Sequence, residues 1–149
     1  MKQILIYFYS FCILLIVVLL TSCADAGPEA IHFNKDACNN CKMGISDKRF
    51  ACEIVSKKGK VFKFDDMACL MSYYNENKDN LNKANYYFKD FLYPHDFAKA
   101  KNLFFVKGDV VGSPMGGNIA AFSSKDSANA YMEYWRASTF AWEEIEQEQ

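Results

Sequence analysis

The sequence predicts an α+β fold made of tandem ββα units in one compact domain. Two observations carry that expectation. A strand, a turn, a second strand ending in phenylalanine, a polar capping residue and a helical stripe follow one another twice along the chain. The 149 residues include thirteen Phe and nine Tyr, enough bulk to fill a single core without help from disulfides. Net charge is −1 and no basic run occurs, which argues against a nucleic-acid surface.

The first unit begins near Arg49. Phe50, Cys52 and Ile54 alternate with Ala51, Glu53 and Val55, the period of a half-buried strand. Lys57-Lys58-Gly59-Lys60 is a hairpin turn, and Val61 to Phe64 returns as the second strand. Asp65-Asp66 offers an N-cap, because a carboxylate accepts from the free N–H groups of a first helical turn. The helix is expected from Met67 to about Asn75. Asn75 to Asn85 is polar and reads as an internal linker. Tyr86 to Phe91 reads as an aromatic strand, Pro94 as its breaker, and Asp96 as the cap of a short helix through Lys101.

The second unit repeats the order with little residue identity. Leu103 to Lys107 is a strand, Gly108-Asp109 a turn, and Gly112-Ser113-Pro114-Met115-Gly116-Gly117 a loop. Asn118 to Phe122 is a strand and Ser123-Ser124 the cap. A helix from Lys125 to about Ala137 places Ala128, Tyr131, Met132 and Trp135 on one face. Thr139 to Trp142 reads as a last strand, and residues 143–149 as a solvated acidic tail.

The N-terminus reads as an address. Lys2 precedes an apolar run from Ile4 to Leu20, and Leu20-Thr21-Ser22-Cys23 resembles a bacterial lipobox. Residues 1–22 are therefore expected to be a lipoprotein signal peptide, with lipid attached to Cys23. Residues 23–37 are expected to form a tether, and 38–142 the folded domain. Ala24 rather than Asp follows Cys23, which points to the outer membrane. Cys12 leaves with the signal. Cys38, Cys41, Cys52 and Cys69 remain in a compartment where unprotected thiols tend to oxidise.

The chemistry concentrates in Cys38-Asn39-Asn40-Cys41-Lys42-Met43. Two thiols and a thioether suit Cu(I), which accepts soft donors in low number. A structural disulfide or zinc site, or thiol–disulfide exchange, remain alternatives on spacing. No apolar strand precedes Cys38, as a redox pair would want, and no second CxxC completes a zinc ribbon. Met115 sits among Gly and Pro, without an obvious packing role. Cys69 reads first as a small buried residue and second as a ligand. Cys52 reads as core. His32, six residues before Cys38, is a further ligand candidate, and it and His95 read mainly as surface residues. No nucleophile–base pattern or phosphate loop is present.

Together these residues resemble the NosL family, copper-chaperone lipoproteins that accompany nitrous-oxide reductase. The resemblance rests on Cys38-x-x-Cys41-x-Met43-Gly44-Ile45-Ser46-Asp47, Phe64-Asp65-Asp66-x-x-Cys69, Tyr87-x-x-Asp90, Pro114-Met115-Gly116 and Ala120-Ala121-Phe122, in that order. It implies tandem ββα units similar in shape to the N-terminal region of organomercurial lyases. It implies a non-enzymatic protein that binds Cu(I) in the periplasm and delivers it for maturation of nitrous-oxide reductase, with a membrane copper-transport complex as docking partner. The residues that match the family's motifs make Cys41, Met43 and Met115 the implied ligands, with Cys38 next.

Overall fold

The computed structural model describes Gln3 and residues 26–81 and 83–147. Apart from Gln3, the expected signal peptide lies outside the described residues, as does Cys23.

Among described residues 26–147, seven strands and three α-helices follow in the order β1 Cys52–Val55, β2 Val61–Phe64, α1 Met67–Asn77, β3 Asn85–Lys89, β4 Phe97–Lys99, β5 Phe104–Lys107, β6 Ile119–Phe122, α2 Lys125–Trp135, β7 Ser138–Ala141 and α3 Trp142–Gln147. Two antiparallel sheets result, ordered β2-β1-β3-β4 and β6-β5-β7. In each, the first strand of the unit lies in the middle. It pairs with its hairpin partner and with the strand that follows the helix: Cys52 faces Phe64 and Phe88, and Phe104 faces Phe122 and Ala141. The repeat is thus ββαβ, one strand longer than the ββα read from the sequence. The caps repeat as well. Asp66 accepts from the N–H of Cys69, and Ser124 from that of Ser127, three residues on in both cases.

Aromatic rings join the two sheets. Phe88 of β3 meets Phe105 of β5 edge-on at 5.1 Å, and Trp142 packs against both. A second cluster gathers Phe50, Phe91, Phe122, Tyr131 and Trp135 beneath α2. Such contacts contribute beyond their buried area. Asp90 stitches the units from the polar side, its carboxylate accepting from the N–H groups of Leu92 and Ser123.

Four local expectations change, each for a packing reason. β1 is buried at all four positions instead of alternating, because it is flanked by β2 and β3 and covered on both faces. The linker expected over 75–85 is largely structured: α1 runs to Asn77, a 3-10 turn spans Lys78–Asn80, and Leu81 is buried. The helix expected after Asp96 is instead β4 and a 3-10 turn, since Phe97 to Lys99 pairs with the free edge of β3. The acidic end forms α3, held by buried Trp142 and half-buried Ile145.

The segment before Cys38 is bound down as well. Ile31 is buried in the core, Asn34 donates to Ile45, and Lys63 on β2 reaches the Ala30 carbonyl and the Asp36 carboxylate, both at 2.8 Å. The Glu29 N–H donates to Oε2 of Glu53, a fully buried side chain on β1 whose Oε1 has no partner. Burial pushes the Glu53 carboxyl from 4.5 up to about 7. The folded chain then holds a proton between these values that the unfolded chain has released, so stability falls as pH rises from about 4.5 to 7. Replacing Glu53 with Gln should remove roughly 3 kcal/mol of that pH dependence. Urea unfolding of the metal-free protein at pH 5 and pH 8 measures it. Parallel pH profiles for the two proteins would contradict the burial argument.

Candidate metal centre

Cys38 and Cys41 lie in a tight turn laid against the edge of β2. An isolated bridge between Ala37 and Gly44 closes it. Inside it, the Cys38 N–H donates to the Met43 carbonyl and the Lys42 N–H to the Cys38 carbonyl. Asn39 fixes the turn to the sheet: its N–H donates to the Lys63 carbonyl, and its side-chain oxygen accepts from the Lys63 N–H at 2.6 Å. Edge strand β2 has those backbone groups free for the turn.

Cys69 arrives from the other side, one turn into α1. The sulfurs of Cys38, Cys41 and Cys69 all lie within 4.8 Å of one another. Cys38 and Cys69 are buried, and Cys41 is half-buried. A metal bonded at about 2.3 Å to three sulfurs in a plane needs them about 4 Å apart, so little movement would close the group around an ion.

The three thiols are not equivalent. Burial raises the Cys38 thiol, but the N–H groups of Cys41, Asp65 and Asn40 and the Cys41 thiol point at its sulfur, and together they hold it below its ordinary value. Burial, and then the charge on Cys38, pushes Cys69 up. Cys38 therefore gives up its proton more readily than Cys69, and a bound cation would have to displace protons. Cys52, fully buried on β1 and outside the group of three, is pushed well up by burial and by the charge of Asp66. It is a core thiol.

Asp66 organises the surroundings. Oδ1 caps α1 at the Cys69 N–H, 3.1 Å away. Oδ2 accepts from the Ser113 hydroxyl at 2.6 Å, the Met115 N–H at 3.1 Å and the Gly117 N–H at 3.3 Å. One carboxylate thus ties the helix that carries Cys69 to the loop that carries Met115. The loop comes so close that a Cβ on Gly117 would sit 3.0 Å from the Ala68 nitrogen. Asp65 takes the other side, accepting from the Ser46 N–H just beyond the cysteine turn.

Of the residues singled out in the sequence, the fold brings Cys38 and Cys41 together with Cys69. Met115 is half-buried against the same core cluster. Met43 is 51% exposed on the turn. His32 is exposed and lies 3.6 Å from Asp36, outside the group of thiols. His95 is bonded to the Asp90 carbonyl through Nδ1. Cys69 is both things the sequence offered, a buried residue and a member of the sulfur cluster. Its spacing from Asp66 is the signal: a cysteine three residues after an N-cap stays at the end of the helix where the strand enters. The second role of Asp66 had no signal, because its partners lie 47 to 51 residues away.

The family model for NosL matches residues 30–149. Among solved structures, the crystal structure of the copper chaperone NosL from Shewanella denitrificans superposes with a TM-score of 0.70 at 26% identity, over 85% of this chain and 100% of that one. No curated protein sequence matches significantly. With most of its length matched by the family model and its doubled ββαβ frame shared with a solved relative, the chain belongs to the NosL family.

Proposed function

We propose that this protein is a membrane-tethered carrier that binds Cu(I) outside the cytoplasm and passes it on for maturation of nitrous-oxide reductase. The observation that carries the reading is the convergence of the Cys38, Cys41 and Cys69 sulfurs within 4.8 Å. Soft donors in low number suit Cu(I). Buried Cys38 and Cys69 keep the ion from water. Half-buried Cys41 is the sulfur an incoming donor can reach. Transfer then proceeds by ligand exchange: a donor on the receiving protein bonds to the ion as Cys41 releases it. Met43, on the same turn, and Met115, on the loop held by Asp66, would add neutral thioethers that need no deprotonation. The lipobox at Cys23 supports anchoring to a membrane that faces the periplasm, the outer membrane by the absence of Asp after Cys23. Resemblance to the NosL family supports the reductase as client and a membrane copper-transport complex as docking partner.

A thiol–disulfide enzyme fits the geometry less well. Redox CxxC pairs use an exposed first cysteine at a helix N-terminus, whereas Cys38 is buried in a closed turn. Zinc could use the same three sulfurs with a fourth ligand. Anaerobic titration of the reduced protein against a Cu(I) chelator separates these readings. One Cu(I) should bind per chain, with affinity rising by up to about tenfold per pH unit for each proton displaced. Zinc that binds tightly and resists displacement by Cu(I) would refute the carrier reading. For the client, reductase produced in cells lacking this protein should be deficient in copper.

A further inference from the structure

The chain meets the rest of the molecule at an informative place. Ala26 lies over the tip of the β1–β2 hairpin, where a Cβ on Gly59 would come 3.4 Å from its own. From there the backbone is held by the Glu29–Glu53 bond, by Lys63 and by buried Ile31. Only Ala24 and Asp25 separate Ala26 from Cys23. Three peptide links span at most about 11 Å. A lipid on Cys23 would therefore hold this hairpin tip close to the bilayer surface, with no long tether between them.

The tip is chemically suited to that position. Lys57, Lys58 and Lys60 are exposed around Gly59. Among the described residues no carboxylate pairs with any of the three. They line a groove of about 440 Å³ with Ser56, Phe62 and Tyr73, and no acidic side chain contributes to its wall. The Lys60 ammonium rides 4.8 Å above the Phe62 ring, a cation–π contact that neutralises none of its charge.

We propose that Lys57, Lys58 and Lys60 form a docking face for the acidic phospholipid headgroups of the membrane that carries the Cys23 anchor. The inference rests on the lipoprotein reading above and adds an orientation to it. β2 leaves the tip at Val61 and ends at Phe64, immediately before Asp65, Asp66 and the α1 turn that carries Cys69. Four strand residues cover about 13 Å. The lipid face and the sulfur cluster thus lie towards opposite ends of the same strand, which turns the thiols away from the bilayer and towards a soluble or membrane-borne recipient.

The test uses full-length protein in vesicles of phosphatidylethanolamine with about one quarter phosphatidylglycerol, and in neutral phosphatidylcholine vesicles. Lysine acetylation is followed by peptide mass spectrometry, which also reads whether Cys23 carries acyl chains. Lys57, Lys58 and Lys60 should be acetylated about fivefold more slowly on the acidic vesicles, and high salt should abolish the difference. Exposed Lys125 should react equally on both. Replacing the three lysines with serine should leave Cu(I) binding unchanged and remove the salt-sensitive part of vesicle association. Equal acetylation rates on acylated, vesicle-bound protein would overturn the docking face and leave the lipoprotein reading standing. Unmodified Cys23 with no vesicle association would overturn both.

Discussion

Asp66→Ala is expected to destabilise the metal-free protein by about 4 kcal/mol. Losing an N-cap costs about 1 kcal/mol. A buried donor left without an acceptor costs about 1–3 kcal/mol more, and three besides the cap donor depend on this side chain: the buried Ser113 hydroxyl and the half-buried Met115 and Gly117 N–H groups, which water reaches in part, so each counts at about the low end of that range. The sum is a large part of the ~5–15 kcal/mol that holds a typical domain together. Asp66→Asn is the sharper variant. It conserves volume, and one amide oxygen can still cap the helix, but the NH2 group then faces three donors. A loss of about 2–3 kcal/mol is expected, with an unchanged urea m-value. Asp65→Asn makes the contrast, since its carboxylate accepts from the backbone N–H groups of Ser46 and Asp47 and ties no distant loop to the helix. Urea unfolding of reduced, metal-free proteins measures all three. Wild-type stability in Asp66→Asn would mean that the loop is held by packing and not by this carboxylate.

The sequence made the frame legible because its signals were local. Hairpin lysines, the Phe64-Asp65-Asp66 and Phe122-Ser123-Ser124 boundaries and the stripe on α2 each act within a few residues, and each sits where the pattern predicts. What escaped was long-range. Glu53 looked like the polar side of an alternating strand, yet a segment 24 residues earlier covers it. Phe97 to Lys99 looked like the start of a helix, yet an open sheet edge captured it. The metal centre divides in the same way. The Cys38–Cys41 spacing announced itself. Cys69 announced itself only in part, because a buried cysteine on a helix has the same local appearance whether it packs or binds. Its closeness to Cys38 depends on how the turn docks through Asn39 on β2, a contact spanning 24 residues that no periodicity reports.

Cys69→Ala is expected to lower Cu(I) affinity by roughly 1,000-fold or more, beyond the ~10–100-fold that loss of a supporting group costs at a metal site. The substitution removes one of three sulfur donors, at a position only 3% exposed. Cys38→Ala should behave alike. Met43→Ala should cost far less, about tenfold, because a half-exposed neutral thioether is replaceable by water or by a recipient's donor. Cys52→Ala controls for the loss of a buried thiol as such. It lies in the same core and outside the sulfur group, so its affinity should match the wild type once stability is accounted for. Competition against a Cu(I) chelator under anaerobic conditions reads all four. If Cys69→Ala bound copper normally while Met115→Ala abolished binding, the ion would belong to the Cys41–Met43–Met115 set that family resemblance alone implies, and Cys69 would be a packing residue. The opposite result would make the centre one of three thiolates in which Cys38 and Cys69 retain the ion and Cys41 controls its release. In that case Cys41→Ser should slow transfer to a recipient more than it weakens binding.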